Sequence, residues 1–258
     1  MKSIIASLLM MSSFFVSAQD LSLYQKKEFA YKGQVLLYRI LYSDHYDRTK
    51  KYPLVLFLHG AGERGNDNEK QLTHGAKLFI MEDARTKFPA IVIFPQCPEE
   101  GFWGSVKVDR TKSPHSFGFD YKEPEPTSLA SSIALVKQVM KDERVDRSRV
   151  YVTGLSMGGM GTFEAVYRYP KLFAAAMPIC GGGDAVHYNA KVKKTLFWVF
   201  HGADDAVVGV DNSRVMVDRL KAIGAKVKYT EYPGVNHNSW DNAFAEPTFL
   251  SWMFSNKR

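Results

Sequence analysis

The stretch Arg149-Val150-Tyr151-Val152-Thr153-Gly154-Leu155-Ser156-Met157-Gly158 decides the fold, because it joins a strand pattern to a helix pattern at a serine. The residues before Gly154 are mostly β-branched or aromatic and predict a buried strand. Gly159 to Tyr169 carries apolar side chains at helical spacing and stops before Pro170. A G-x-S-x-G turn between a strand and a helix forms a strained elbow that exposes the serine hydroxyl. The flanking glycines are expected because a Cβ there would collide with neighbouring backbone.

Strand and helix patterns alternate along the rest of the chain. Apolar and β-branched runs predict strands at Tyr24–Tyr31, Val35–Tyr42, Tyr52–Leu58, Ile91–Phe94, Ala174–Ile179, Thr195–Phe200 and Val227–Tyr232. Amphipathic runs predict helices near Leu72–Met81, over Ser128–Lys141 and Ser213–Ile223, and within Ala243–Phe254 from about Pro247 onward. The first two strands are expected to form a hairpin at the sheet edge. This alternation predicts an α/β fold with a mostly parallel twisted sheet and helices on both faces.

The length and composition fit one large domain. The chain has 258 residues, 45% of them hydrophobic, and no Pro/Gly/Ser-rich linker divides it. Residues 1–18 predict a signal peptide, because Lys2 precedes an apolar run too short for a membrane span and Val16-Ser17-Ala18 fits a cleavage site. A buried N-terminal helix is the alternative. We therefore expect an exported protein, periplasmic or secreted, with one domain over residues 19–258 and no membrane anchor.

Charge and cysteine content narrow the expected partners. The formal net charge is +7, but basic and acidic residues are interspersed, so nucleic-acid binding is not expected.

Cys97 and Cys180 each follow a predicted strand and would enter an oxidising compartment after export. In the expected strand order two other strands separate them, which is too far for a disulfide. We expect buried free thiols, with a disulfide as the alternative. Nothing in the sequence indicates an oligomeric state.

Ser156 needs a partner base, because a serine hydroxyl is a poor nucleophile at neutral pH. In folds with this elbow the partners follow in the order Ser, Asp, His. The loop His201-Gly202-Ala203-Asp204-Asp205-Ala206-Val207-Val208 leaves a predicted strand, and His237 follows the last strand. These loops are expected at the sheet edge that carries the elbow. His237 is therefore the candidate base, and a surface histidine in a polar turn is the alternative.

Two backbone N–H groups are the candidate oxyanion donors. Met157 follows the serine at the start of a helix, and Ala61 lies in His59-Gly60-Ala61-Gly62, directly after a buried strand. His59 and His201 are expected to be structural histidines that bond to their own loops. Neither an H-E-x-x-H motif nor a Cys/His spacing suited to zinc occurs, so we expect no metal and no cofactor.

Two long connections, Gly62–Phe88 and Gln96–Pro126, are expected at the C-terminal ends of strands, where such loops shape a binding cleft. The second carries several aromatic residues: Phe102, Trp103, Phe117, Phe119 and Tyr121. Trp103 is the candidate substrate-binding residue, with its indole lining an acyl or sugar pocket. The alternative is that Trp103 packs the loop onto the domain.

Several segments together resemble the α/β-hydrolase esterases, a group that includes dienelactone-hydrolase-like proteins, bacterial phospholipase/carboxylesterases, polyhydroxybutyrate-depolymerase-like esterases and feruloyl esterases. These segments are the elbow, the loop from His201, His59-Gly60-Ala61-Gly62-Glu63-Arg64-Gly65, Phe94-Pro95-Gln96-Cys97-Pro98, Pro178-Ile179-Cys180-Gly181-Gly182-Gly183-Asp184 and His237-Asn238-Ser239-Trp240-Asp241. The resemblance runs from about Tyr52 to the C-terminus and implies an α/β-hydrolase catalytic domain over residues 19–258.

The resemblance also implies roles for single residues. The positions that match the family nucleophile, base and two oxyanion donors are, in this order, Ser156, His237, Ala61 and Met157. The family acid loop resembles H-G-x-x-D-x-x-V, which favours Asp205 as the acid. Asp204 and Asp184 are the alternatives. Dienelactone hydrolases proper use a cysteine nucleophile, whereas the elbow here holds a serine.

The leading interpretation is an exported serine carboxylesterase that hydrolyses carboxylic esters through an acyl-enzyme. Acetyl or feruloyl esters of plant polysaccharide are the candidate substrates, on the strength of the resemblance and the export signal. A serine peptidase or an acyltransferase on the same fold is the alternative. A third class, a binding protein without catalysis, is disfavoured because the serine, acid and histidine are all present.

Overall fold

The computed structural model describes residues 21–258, so the expected signal peptide lies outside the described residues. Its strands are β1 (Gln25–Tyr31), β2 (Gln34–Leu41), β3 (Tyr52–Leu58), β4 (Ile91–Pro95), β5 (Val106–Asp109), β6 (Ser116–Phe119), β7 (Val145–Leu155), β8 (Ala175–Ile179), β9 (Leu196–Gly202) and β10 (Val227–Tyr232). Its α-helices are α1 (Ala76–Ile80), α2 (Glu82–Lys87), α3 (Thr127–Asp142), α4 (Met157–Arg168), α5 (Asp211–Ala222), α6 (Trp240–Ala245) and α7 (Phe249–Ser255).

One mostly parallel sheet of eight strands organises this region, in the order β1-β2-β4-β3-β7-β8-β9-β10. β1 pairs antiparallel with β2, and β2 pairs antiparallel with β4. The remaining pairs, from β4 across to β10, are parallel. The carboxyl ends of these parallel strands therefore lie at one edge, where the loops after β3, β7, β9 and β10 meet.

Helices cover both faces of the sheet, because alternate strand residues point to opposite sides. In β3, Leu54 and Leu56 belong to one core cluster, whereas Val55 and Phe57 belong to the other. Residues of α3, α4 and α5 complete the first cluster, and residues of α1, α6 and α7 complete the second. Every residue of β3 is buried, as its continuous apolar pattern predicts. The α/β-hydrolase fold class is confirmed.

The structure contains short elements that the sequence analysis did not predict. β5 and β6 form a hairpin that was not predicted. Both strands are short, and half-buried residues alternate with exposed residues along each of them. The expected last helix beginning near Pro247 is confirmed by α7, which begins at Phe249, whereas the short helix α6 before Pro247 was not predicted. Proline lacks an N–H and disfavours helical backbone in the preceding residue, so Pro247 separates two short helices.

The cysteines follow the predicted arrangement. Cys97 and Cys180 are both buried and free. β3 and β7 lie between the strands that precede them, so the sheet itself keeps the two thiols apart. Over the described residues, the structure contains no helix with the length and hydropathy needed to cross a membrane.

Candidate active site

Ser156 occupies the sharp turn between β7 and α4. Its backbone has φ 53° and ψ −115°, a strained combination for a residue with a side chain. A Cβ on Gly154 would lie 2.5 Å from the Gly158 carbonyl oxygen, and a Cβ on Gly158 would overlap the Leu58 carbonyl. Backbone contacts therefore require both flanking glycines, as the sequence predicts. The serine itself stays partly exposed at the C-terminal edge of the sheet.

A hydrogen-bonded chain joins Ser156, His237 and Asp205. The Nε2 atom of His237 lies 3.0 Å from Ser156 Oγ. The Nδ1 atom of His237 lies 2.8 Å from Asp205 Oδ2. Because a carboxylate only accepts, Nδ1 carries the ring proton, and the Nε2 lone pair is left facing the serine hydroxyl. Such an arrangement can remove the hydroxyl proton while the oxygen attacks a carbonyl carbon.

Backbone amides and two histidines fix the Asp205 carboxylate. Its Oδ1 accepts from the N–H groups of Val207 and Val208, each at 2.9 Å. Its Oδ2 faces His237 and also His201, whose Nε2 is 3.1 Å away. Burial raises the pKa of Asp205, but hydrogen bonds from His201, His237 and the backbone outweigh burial and hold the pKa well below its usual range. The carboxylate is therefore ionised at neutral pH.

The structure places the three acids considered from sequence in different surroundings. Asp204 is exposed beside Asp205. Asp184 contacts His187, whose Nδ1 lies 2.6 Å from Asp184 Oδ2. Within residues 21–258, Asp205 is the one of the three that is hydrogen-bonded to His237.

Asn236 and Trp240 support the His237 loop, although the sequence reasoning gave neither a role. Asn236 Oδ1 accepts from the N–H of Ala206 at 2.9 Å and from that of His237 at 2.7 Å, which ties this loop to the acid loop. The Trp240 ring meets the His237 imidazole edge to face, with ring centroids 5.4 Å apart. An Asn in a glycine-containing turn is a usable sequence signal, since its side chain commonly bonds to nearby backbone. The position of Trp240 has no comparable local signal.

The two candidate oxyanion donors lie in neighbouring segments. Met157 is the first residue of α4, so its N–H has no acceptor within the helix. Ala61 begins a short 3₁₀ turn after β3. β3 and β7 pair as far as Leu58 and Gly154, so the two following segments leave the sheet side by side. The positive end of the α4 dipole would also attract a negatively charged oxygen placed beside the Met157 N–H.

His59 cross-links the loops around the Ala61 turn. Its Nδ1 lies 2.6 Å from the Gly60 carbonyl oxygen and donates to it, and its Nε2 accepts from the Cys97 N–H at 2.9 Å. The His59 carbonyl accepts from the Trp103 indole N–H at 3.0 Å. These partners fit only the neutral imidazole, and burial lowers the pKa of His59 to about 4. The expectation of a structural histidine is confirmed.

The expectation that Trp103 lines a substrate pocket is wrong. Trp103 is 0% exposed. Its ring lies edge-on to the His59 imidazole, with centroids 5.2 Å apart, and a Cβ on Gly161 of α4 would overlap the Trp103 side chain. The indole is enclosed by the loop that follows β3 and by α4, so it offers no surface to a substrate. The alternative, that Trp103 packs its loop onto the domain, is correct.

Two groups of ligand-type side chains occur in residues 21–258. In each group three candidate ligand atoms lie within 4.8 Å of one another: Cys180, Asp205 and His237, and Asp120, Asp184 and His187. N–H groups already point at both buried carboxylates. Asp184 accepts from the Tyr121 N–H at 2.9 Å as well as from His187. A carboxylate surrounded by donor hydrogens is arranged as an acceptor rather than as a cation ligand.

The sheet, the elbow and the hydrogen-bonded chain define an α/β-hydrolase. Within that class, this chain belongs to the phospholipase/carboxylesterase family, whose model matches residues 46–248.

Named relatives agree with this assignment. The carboxylesterase SOBER1 of Arabidopsis thaliana is 25% identical over 189 residues, which cover 71% of this chain and 82% of that protein. A bifunctional acetylxylan esterase/xylanase of Neocallimastix patriciarum is 26% identical over 156 residues, or 60% of this chain and 20% of that protein. The crystal structure of a thermostable esterase superposes with a TM-score of 0.81 at 37% identity, covering 92% of this chain and 64% of that one. The protein is accordingly a carboxylic ester hydrolase.

We predict that Asp205→Asn lowers kcat on a simple ester by a factor of about 10³ to 10⁴ near neutral pH, because an amide favours the wrong imidazole tautomer. Asp204→Asn is the matched control, since it removes an adjacent but exposed carboxylate. It is expected to stay within a few-fold of wild type. Steady-state kinetics on both purified variants check this, and a larger loss in Asp204→Asn would reverse the choice of acid.

We predict that His59 makes the fold acid-sensitive. Its pKa is about 4 in the folded chain and about 6.5 when unfolded, so only the neutral form is stabilising. That contribution, on the order of 3 kcal/mol, is fully present above about pH 6.5 and is lost as pH falls toward about 4. Urea unfolding of wild type and His59→Gln at several pH values checks this.

The stability difference between wild type and His59→Gln should shrink steadily from pH 7 to pH 4.5. His45→Gln, which alters an exposed histidine, should give no such trend. A wild-type advantage over His59→Gln that is constant across the range would contradict the role given to the neutral imidazole.

Proposed function

We propose that this ester hydrolase is a serine carboxylesterase that works through an acyl-enzyme, with Ser156 as nucleophile, His237 as base and Asp205 as the orienting acid. The observation that carries the proposal is the chain of two hydrogen bonds, 3.0 Å from His237 to Ser156 and 2.8 Å from His237 to Asp205. Its polarity is fixed by the ionised, buried carboxylate at one end. The strained turn at the other end holds the serine hydroxyl on the exposed edge of the sheet.

The first half of the reaction forms the acyl-enzyme. His237 Nε2 takes the proton from Ser156 as Oγ bonds to the ester carbonyl carbon, and the carbonyl oxygen becomes an oxyanion. The N–H groups of Met157 and Ala61 donate to that oxyanion. The His237 proton then passes to the alcohol oxygen as its bond to the carbonyl carbon breaks. The acyl group stays on Ser156 and the alcohol leaves.

The second half releases the acid. A water molecule gives a proton to His237 and bonds to the acyl carbon, which forms a second oxyanion in the same place. The bond from the carbon to Ser156 Oγ breaks, and Oγ recovers the proton from His237. Asp205 keeps its charge throughout and stabilises the imidazolium that forms twice in the cycle.

For the substrate we infer acetyl or feruloyl esters attached to plant polysaccharide, acted on by an exported enzyme. The resemblance to acetylxylan and feruloyl esterases supports the ester class, and the pattern of residues 1–18 supports export. A single catalytic domain over residues 19–258 is part of the same proposal. The family match and the named carboxylesterase relative favour this reading over a peptidase or an acyltransferase.

We infer that substrate-facing surface is carried by the β5–β6 hairpin rather than by Trp103. The hairpin is attached to the acid loop, because the His115 N–H donates to the Val207 carbonyl at 3.0 Å. Phe119 at its end lines clefts of about 460 Å³ and about 350 Å³, the second shared with Val186 and Val215. A half-buried aromatic side chain beside open space suits contact with an aromatic or sugar ring, and neither cleft is lined by the candidate catalytic residues, so this surface would bind a part of the substrate away from the ester.

We predict that Ser156→Ala lowers ester turnover by a factor of about 10⁴ or more with an unchanged melting temperature, because the nucleophile is lost and the fold is not. The substrates are nitrophenyl esters of rising chain length, methyl ferulate, acetylated xylan and a peptide anilide. The proposal expects wild type to cleave methyl ferulate or acetylated xylan and to leave the anilide intact.

Ser251→Ala, which alters an exposed serine on α7, is the control and should retain wild-type rates. Turnover by Ser156→Ala within about tenfold of wild type would remove the serine from the mechanism. Hydrolysis of nitrophenyl esters alone would keep the mechanism and reject the polysaccharide substrate.

A further inference from the structure

His201 lies fully buried behind the acid loop, and the mechanism above gives it no part. Its Nε2 lies 2.7 Å from the Val208 carbonyl oxygen and 3.1 Å from Asp205 Oδ2. Its side chain is 0% exposed. A carbonyl and a carboxylate can only accept hydrogen bonds, so Nε2 must carry a hydrogen. His201 Nε2–H therefore donates a hydrogen bond to the Val208 carbonyl, and the same nitrogen lies within ion-pair distance of the carboxylate oxygen that accepts a hydrogen bond from His237.

The other ring nitrogen of His201 explains how this tautomer is held. Nδ1 lies 2.7 Å from Ser213 Oγ, a hydroxyl that can donate to it. The same Oγ is 3.1 Å from the Gly181 carbonyl oxygen. Gly181 in turn packs against Gly159 of α4, where a Cβ on Gly181 would have no room. The contacts of His201 thus connect the acid loop to the helix that follows Ser156.

We propose that His201 is a positioning residue for this reaction: its Nε2–H holds the acid loop through the Val208 carbonyl and lies 3.1 Å from Asp205 Oδ2, so that the carboxylate charge interacts with two imidazoles. The proposal rests on the role proposed above for Asp205. It has two consequences. Rotation of the carboxylate away from His237 is opposed, because Oδ1 accepts from two backbone N–H groups and Oδ2 lies between two imidazoles. The pull of Asp205 on the His237 proton is also weaker than that of a carboxylate bonded to one histidine.

The other ionisable groups near His201 do not take over this contact. Glu231 lies opposite His201 in the register of β9 and β10, but Arg214 is ion-paired with it at 2.6 Å. The Cys180 thiol lies close to Asp205, and burial together with the Asp205 charge raises its pKa far above neutrality. Asp205 is therefore the charged partner of His201, and His201 is its second histidine.

The test compares His201→Phe, which removes both ring nitrogens, with His201→Gln, which keeps a donor at similar reach. Rates are expressed per active site, counted by titration with a fluorophosphonate. For His201→Phe we expect kcat to fall by about tenfold to a hundredfold with KM within about twofold, because the hydrogen bond that holds the acid loop and the polar N–H beside the carboxylate are both lost. We also expect the acid limb of the kcat/KM profile to move to higher pH by about half a unit or more. His201→Gln should keep most of the wild-type kcat and an acid limb close to that of the wild type.

A matched control breaks a similar pair elsewhere. His187 bonds to Asp184 at 2.6 Å, and His187→Phe should leave kcat and the acid limb unchanged. If His201→Phe lowers only the melting temperature and the titrated fraction, with kcat per site within twofold and an unmoved acid limb, the proposal is wrong. Activity retained by Ser156→Ala would instead contradict the proposed function. The failure of the proposed function and the failure of the His201 proposal are therefore distinguishable.

A measurement on the unmodified protein covers the case in which His201→Phe does not fold. Nitrogen-15 NMR of the imidazoles should show His201 protonated at Nε2 and His237 protonated at Nδ1. A His201 ring with its hydrogen on Nδ1 would overturn the proposal.

Discussion

The close approach of the β7–α4 turn to the end of β3 is the constraint on which the candidate site depends. Gly158 has no room for a Cβ beside the Leu58 carbonyl, so the helix that follows Ser156 is packed directly on the neighbouring strand. This packing holds Ser156 in a backbone conformation that costs on the order of 1 to 3 kcal/mol, a cost that the buried strands on either side can offset. The same contact brings the Met157 N–H beside the segment that carries Ala61. One steric feature therefore positions both the hydroxyl and the proposed oxyanion donors.

Two buried histidines, with opposite hydrogen-bonding patterns, support the loops around this turn. His59 donates through Nδ1 and accepts through Nε2, which ties the Ala61 turn to the loop after β4. His201 donates through Nε2 to the Val208 carbonyl and faces the Ser213 hydroxyl at Nδ1, which links the acid loop to α5. In each case the neighbours determine which nitrogen carries the hydrogen. The partly buried His237 differs from both, since one of its nitrogens faces a hydroxyl that can be deprotonated.

Those parts of the fold that local patterns encode could be predicted from the sequence. The buried strand β3, the elbow and α3 follow from runs of apolar residues with a clear period. The β5–β6 hairpin could not, because its strands are short, half-buried and held by the acid loop, a contact between distant segments. The same limit applies to Trp103. Its size and its place in a long loop are visible in the sequence, but the face of the loop that it occupies depends on packing against α4. For Asp205, sequence order left a neighbouring carboxylate open, and only the fold shows which of the two points inward.

Covalent labelling tests the central claim most directly, because it asks which atom of the folded protein is the nucleophile. The protein would be treated with a fluorophosphonate, and the adduct counted by intact mass and located by peptide sequencing. Activation of Ser156 by His237 predicts one adduct per chain, on Ser156, with loss of ester hydrolysis in proportion to labelling. The adduct should not form after denaturation in urea, since the hydrogen-bonded chain exists only in the fold. An adduct on another residue, or full hydrolysis by protein labelled at Ser156, would contradict the account.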